Sequence, residues 1–295
     1  MSLGAVALVL PGLWPSLATR GNPRWLVLLG TVALTLGLAS IAAGLALSTA
    51  VGVLHLVERA SLAQYEGHLA PGGIVASALA ASALAVLGGR IILIGRRARR
   101  GRCAARADRW LGHHKDFGDH VLVLLPTTVP IAYSVPGSPP QIVISQGLRD
   151  RLESDLFAFL IDHERAHLSR KHSRALLIAA CSAALFGRLP AVSRSTLVLG
   201  LAVERAADEE AAGRDPLRRR RLAIAMSRLG DAQWLPHGAD ESLRFRAGQL
   251  VAFPTPMSRW LQIGATTGLG ALSILVTAVT GHVGDDLPGL LAALR

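Results

Sequence analysis

Residues 154–170 read SDLFAFLIDHERAHLSR. Upstream of Gly147 the chain is written in short β-branched runs; here the pattern turns helical, and a helix over 154–170 is predicted, with Ser154 as its N-cap. Within it stands His163-Glu164-Arg165-Ala166-His167. Residues four apart share a helix face, so the two imidazoles can converge on one ion. Glu164 then sits beside the coordination position left open, outside the ligand set. With 10 histidines and 8 glutamates in 295 residues, chance supplies about 0.009 such pentads. Two ordinary helix histidines beside a surface glutamate is therefore the weaker reading.

Zinc suits this arrangement, because two neutral imidazoles and one carboxylate leave a fourth position for water. Zinc lowers the pKa of such a water toward about 7 and polarises a carbonyl. Glu164 is placed to take the water proton and pass it to a leaving amine. The third ligand is sought downstream, in Glu204-Arg205-Ala206-Ala207-Asp208. Glu204 and Asp208 are four apart and face the same way, so Glu204 can ligate while Asp208 accepts a hydrogen bond from a ligating imidazole. Glu209 and Glu210 compete for the ligand role but read better as a solvated acidic face.

Around this core, 120–125 (HVLVLL), 130–135 (PIAYSV) and 141–145 (QIVIS) are predicted strands, with Pro136-Gly137-Ser138-Pro139-Pro140 as the clearest turn. The last strand is a candidate edge for an extended substrate. Residues 175–187 form an apolar stretch too short for a confident span, either a buried helix or a segment dipping toward a membrane. Cys181 within it reads as a small buried hydrophobe. Pro190 interrupts the pattern, 195–212 is a further predicted helix, and Gly213 and Pro216 close it.

The remaining sequence is dominated by apolar runs. Uncharged stretches occur at 2–19, 25–54, 72–89 (extending apolar character to about 95) and 260–281, and each meets the roughly 17–25 residues of a transmembrane helix. The first, interrupted by Pro11 and Pro15, was weighed as a signal peptide, but it lacks a basic n-region and an obvious cleavage site. Only 17% of residues are charged and mean hydropathy is +0.41, against about 25% charged for a soluble domain. That excludes both disorder and a wholly soluble protein. Cys103 and Cys181 make neither a disulfide framework nor a metal motif.

The arginines carry orientation. Arg96, Arg97, Arg99, Arg100, Arg102, Arg106 and Arg109 follow the third run, Arg20 and Arg24 lie between the first two, and Arg259 precedes the fourth. The loop between the second and third runs carries Glu58, Arg59 and Glu66, and the tail opens with Asp285 and Asp286. The positive-inside rule predicts a multi-pass protein of the cell membrane with both termini outside and residues 96–259 in the cytoplasm. The net charge of +11 is then mostly topology and contact with anionic membrane lipids. Direct nucleic-acid binding is not expected, since no aromatic residues interleave the arginines.

HERAH followed by ERAAD, after PIAYSV and QIVISQGL, resembles the membrane-embedded gluzincin metallopeptidases, most closely the BlaR/MecR-type beta-lactam sensor and antirepressor peptidases. The specific matches lie within about 130–213. The resemblance implies zinc held by His163, His167 and Glu204, Glu164 as catalytic base and Asp208 behind the ligands. It implies a mainly α fold, with four transmembrane helices and a cytoplasmic zincin-like α+β peptidase domain (96–259) inserted between the third and fourth. Three spans would occupy 1–95, the fourth 260–281, and a short outer tail 282–295. The CAAX-protease and heat-shock membrane peptidases share both motifs and are the nearest alternative. Sensor members continue into an extracellular penicillin-binding domain. The sequence here stops at Arg295, so beta-lactam acylation is not expected of it.

The expected activity is zinc-dependent hydrolysis of a protein substrate, by resemblance a transcriptional repressor cleaved in response to a signal. A non-catalytic membrane scaffold with a structural zinc site is the alternative of another class, disfavoured because a structural site has no use for Glu164. Several other histidines and arginines have ordinary expected roles. His172, five after His167, is expected to point away from the metal face as a surface histidine. His113 and His114 are placed near lipid headgroups, Arg90 as a snorkelling residue at the membrane end, and Arg218 to Arg221 as a solvated or lipid-facing run.

Overall fold

The computed structural model describes residues 21–61, 72–107, 110–230 and 239–252. The predicted spans at 2–19 and 260–281 and the tail 282–295 lie outside the described residues. Two long helices open the described chain, α1 (Pro23–Ser61) and α2 (Gly72–Ala107). Both contain segments long and apolar enough to cross a membrane, Pro23–Ala50 and Val75–Ala105. They pack side by side, and Gly52 of α1 lies so close to Ser77 of α2 that any side chain at Gly52 would collide with it. At 39 and 36 residues these helices measure about 58 and 54 Å, well beyond the ~30 Å of a hydrocarbon core. Val27, Leu34, Leu38 and Ile41 of α1 pack against helices further along the chain.

A four-stranded sheet follows, β1 (His113–Asp116), β2 (Val121–Leu125), β3 (Ala132–Val135) and β4 (Gln141–Ser145), in the order β1-β2-β4-β3. β2 and β4 run parallel; β1 and β3 are antiparallel to their neighbours. Val121, Val123 and Val143 are fully buried with Val135 in one core. Two expectations need correction. β4 lies inside the sheet, and the edges are β1 and β3. His113 and His114 belong to strand β1, whose four residues are all exposed, so its charged sequence hid it from pattern reading.

The helices that build the site come next: a short α3 (Gln146–Arg149), then α4 (Ser154–Ser169), α5 (His172–Phe186), α6 (Pro190–Ala212), α7 (Pro216–Gly230) and α8 (Ala239–Val251). Ser145 caps α3, its hydroxyl accepting from the Leu148 amide. α4 begins at Ser154, with Glu153 in the cap position and no side-chain cap bond. The pattern breaks at Pro190 as expected, and the helix expected from 195 already starts there: Pro190 occupies the first turn of α6, where its missing N–H would be unpaired in any case. Gly213 closes α6 with φ +70, a left-handed conformation that favours glycine.

The helices pack in two cores. Leu156 and Phe159 of α4 meet Leu222 and Met226 of α7 and Leu250 of α8. Leu34 of α1 meets Ala179 of α5 and Leu199 and Val203 of α6. α6 thus bridges the two, one end against the apolar helix α1 and the other, through Ala211 and Ala212, against α4, α7 and α8. The acidic face expected at Glu209 and Glu210 is instead paired. Arg219 of α7, buried rather than solvated, donates to both Glu209 oxygens at 2.7 and 2.8 Å and to the Leu250 carbonyl at 2.8 Å. Glu210 accepts from Arg170 at 2.7 Å and from Arg24, at the start of α1, at 3.2 Å.

Candidate active site

α4 presents His163 and His167 from one face toward α6, and Glu204 of α6 answers them. The Nε2 atoms of the two imidazoles are 3.0 Å apart. Glu204 Oε2 is 3.5 Å from His163 Nε2, and its Oε1 is 3.7 Å from His167 Nε2. The three residues offer ligand atoms all within 4.8 Å of one another. Separations of that size are bridged by an ion with legs of about 2.0–2.1 Å. The donor set, two imidazoles and one carboxylate with room beside them, is that of a zinc site with an open position.

Behind the ligands, Asp208 accepts from His163 Nδ1 at 2.9 Å. That bond fixes the tautomer and leaves Nε2 free to ligate. Asp208 is itself gripped by Arg246 of α8, whose Nε and Nη2 donate to its two oxygens at 2.7 and 2.6 Å. Arg246 also lies 3.5 Å from Glu204 Oε2 and 3.5 Å from His163 Nδ1. This arginine escaped the sequence reading. Its only signal was indirect: a buried Asp208 needs a counter-cation, and one stood 38 residues away on a helix with no motif of its own.

His172 needs correction. α4 ends at Ser169, and Lys171 takes a left-handed conformation at φ 55, so a helical offset of five does not apply. The reversed chain returns His172 to the site, buried, its Nδ1 3.2 Å from His167 Nδ1. It is thus no surface histidine; it buttresses the second imidazole on the side away from Glu204.

The charges respond to this packing. Burial would lower the His163 pKa, but the Asp208 and Glu204 carboxylates outweigh it and raise it to about 9. For His167, burial and the neighbouring His163 lower it to about 4. Against the cost of its burial, Asp208 is held down at about 2 by Arg246 and His163. Glu204 is likewise lowered, the bond to His163 and the charge of Arg246 overcoming burial. Glu164 goes the other way. Burial raises it, partly offset by His163 and by a hydrogen bond from Ser134 on edge strand β3. A carboxylate with a raised pKa beside a metal site is the property a general base needs. Arg165 points elsewhere, pairing with Asp119 at 2.5 Å and tying α4 to the turn before β2.

Residues 99–211 match the family model described as Peptidase family M48. The match runs from the end of α2 through the sheet to α6, so it takes in all three candidate ligands, Glu164 and Asp208 but stops short of Arg246. It supports a metallopeptidase domain of a zinc-dependent family. Neither the curated proteins nor the solved structures yield a match.

Proposed function

We propose that the protein is a membrane-anchored zinc endopeptidase that hydrolyses peptide bonds by water attack, with α1 and α2 as membrane spans and the site on the cytoplasmic side. The observation that carries the reading is the joint geometry of His163, His167 and Glu204 with a non-ligand Glu164 beside them. The arginines of α2 favour the cytoplasmic side by the positive-inside bias. The further spans at 2–19 and 260–281 are part of the same proposal.

A zinc ion held by His163, His167 and Glu204 would polarise the scissile carbonyl and acidify the attacking water. The chain's own residues do the rest. Glu164 accepts the water proton at its carboxylate and returns it to the leaving nitrogen. Ser134 orients Glu164 from β3, and the outer edge of β3, unpaired by any strand among the described residues, is the backbone against which an extended substrate would lie. Asp208, locked by Arg246, keeps His163 in the ligating tautomer.

The substrate we propose is a protein at or near the membrane; the resemblance to antirepressor peptidases nominates a transcriptional repressor cleaved on a signal. Comparison of new protein amino termini in cells expressing the wild type and Glu164→Gln tests this. A fragment that needs wild-type protein and vanishes on zinc chelation is expected. Identical fragments in both cell lines would remove the proteolytic reading.

A further inference from the structure

α5 and the first half of α6 form a helical hairpin, closed by residues 187–189, that lies along α1. Leu199 approaches Gly30 near its base, and Phe186 and Val192 near its tip pack into the core that reaches Leu38 and Ile41 of α1. On α2, Arg90 donates to the Ala184 carbonyl at 2.8 Å. The hairpin therefore ends level with about residue 41 of α1 and Arg90 of α2.

Beyond that level, α1 continues without a formal charge as far as Val57, about 16 residues or ~24 Å, close to the thickness of a hydrocarbon core, before Glu58 and Arg59. α2 is uncharged from Gly72 to Gly89, again close to a full crossing. On the near side, Arg96, Arg97, Arg99 and Arg100 are exposed and exclude hydrocarbon at their height. Arg90 and Arg96 are six residues apart, ~9 Å along the helix, so the hairpin tip reaches about 9 Å past the first obligatorily hydrated arginines. That is the depth of the headgroup and acyl boundary, where interfacial helices bury about 5–10 Å.

The chemistry of the tip agrees. Leu189 is 53% exposed, flanked by Arg188 and Arg194, and no acidic residue occurs between Glu164 and Glu204. We infer that the α5–α6 tip is seated in the interfacial region of the leaflet facing the catalytic domain, with Leu189 in the acyl boundary and Arg188 and Arg194 on anionic headgroups. α5 is then a strut. Its 15 residues hold the His167 end of the site ~22 Å from the tip, so the enzyme is built for segments lying just above the bilayer. The inference rests on the reading of α1 and α2 as spans but not on catalysis.

The test uses the full chain in vesicles of phosphatidylcholine with phosphatidylglycerol, with Cys103→Ser and Cys181→Ala as background. Single cysteines carrying an environment-sensitive fluorophore replace Leu189, Val86 within α2, and Leu217 beyond the far end of α6. Spin-labelled lipids quench at either the headgroup level or the chain end. Position 189 should lose emission several-fold to the shallow quencher, position 86 to the deep one, and position 217 to neither. Arg188→Gln with Arg194→Gln should weaken the shallow quenching at 189. No quenching at 189 with strong quenching at 86 would overturn the tip contact while leaving the spans. Deep quenching at 189 would overturn the interfacial depth. No quenching at 86 would overturn the span reading and the inference together.

Discussion

Arg246 and Arg97 carry the same guanidinium in opposite settings. Arg246 is largely buried, bidentate on Asp208 and within 3.5 Å of two candidate ligands. Arg97 lies exposed on the flank of α2, one of a file of arginines to which the proposed topology gives the role of setting orientation. A buried pair that loses one partner leaves an uncompensated charge in a poor solvent, whereas an exposed charge is solvated and screened. The same residue type thus serves the candidate site in one place and, in the proposed topology, the membrane in the other, and net charge alone distinguishes neither.

The comparison can be broken at several points. Removal of a ligand is the largest: His163→Ala should bring zinc content, measured by atomic spectrometry, to background and abolish cleavage. Retention of stoichiometric zinc would place the metal elsewhere. Next comes Arg246→Met, which strands Asp208 and should cost about 3–5 kcal/mol of stability in thermal unfolding. Zinc affinity, measured by chelator competition, should fall about 10–100-fold with it. Arg246→Lys should recover only part, since a point charge cannot reproduce the two-pronged grip.

A smaller effect concerns pH. The base works ionised, and burial raises the pKa of Glu164. Activity should therefore fall as pH drops through a value above the ordinary carboxylate range, read from kcat/KM against pH. A limb at an unshifted carboxylate pKa would show that Glu164 is not in the buried setting described. Smallest of all is Arg97→Gln, expected to change stability by no more than about 0.5 kcal/mol. A loss of several kcal/mol would mean that the α2 arginines are structural after all.

The sequence was most legible where chemistry is local. HERAH lies on one turn-and-a-bit of helix, and ERAAD repeats the four-residue spacing, so five residues could be placed before any fold was known. The strands at 121–125, 132–135 and 141–145 were legible from β-branching, and the two described apolar helices from length and lack of charge. What escaped was set through space. Arg246 is defined only by Asp208, His172 only by the turn at Lys171, and Arg219 only by Glu209. β1 failed the alternation test because both of its faces are exposed. The break at Pro190 was legible, but the start of α6 was placed five residues late, because proline fits the first turn of a helix.

The central claim is that Glu164 acts on water beside a metal it does not bind. It is tested by zinc content and peptide-bond cleavage measured together on purified wild type and Glu164→Gln. The account predicts equal zinc in both proteins and a fall in cleavage of about 100- to 10,000-fold in the variant. Wild-type cleavage by a clean Glu164→Gln protein, or loss of its zinc, would contradict it.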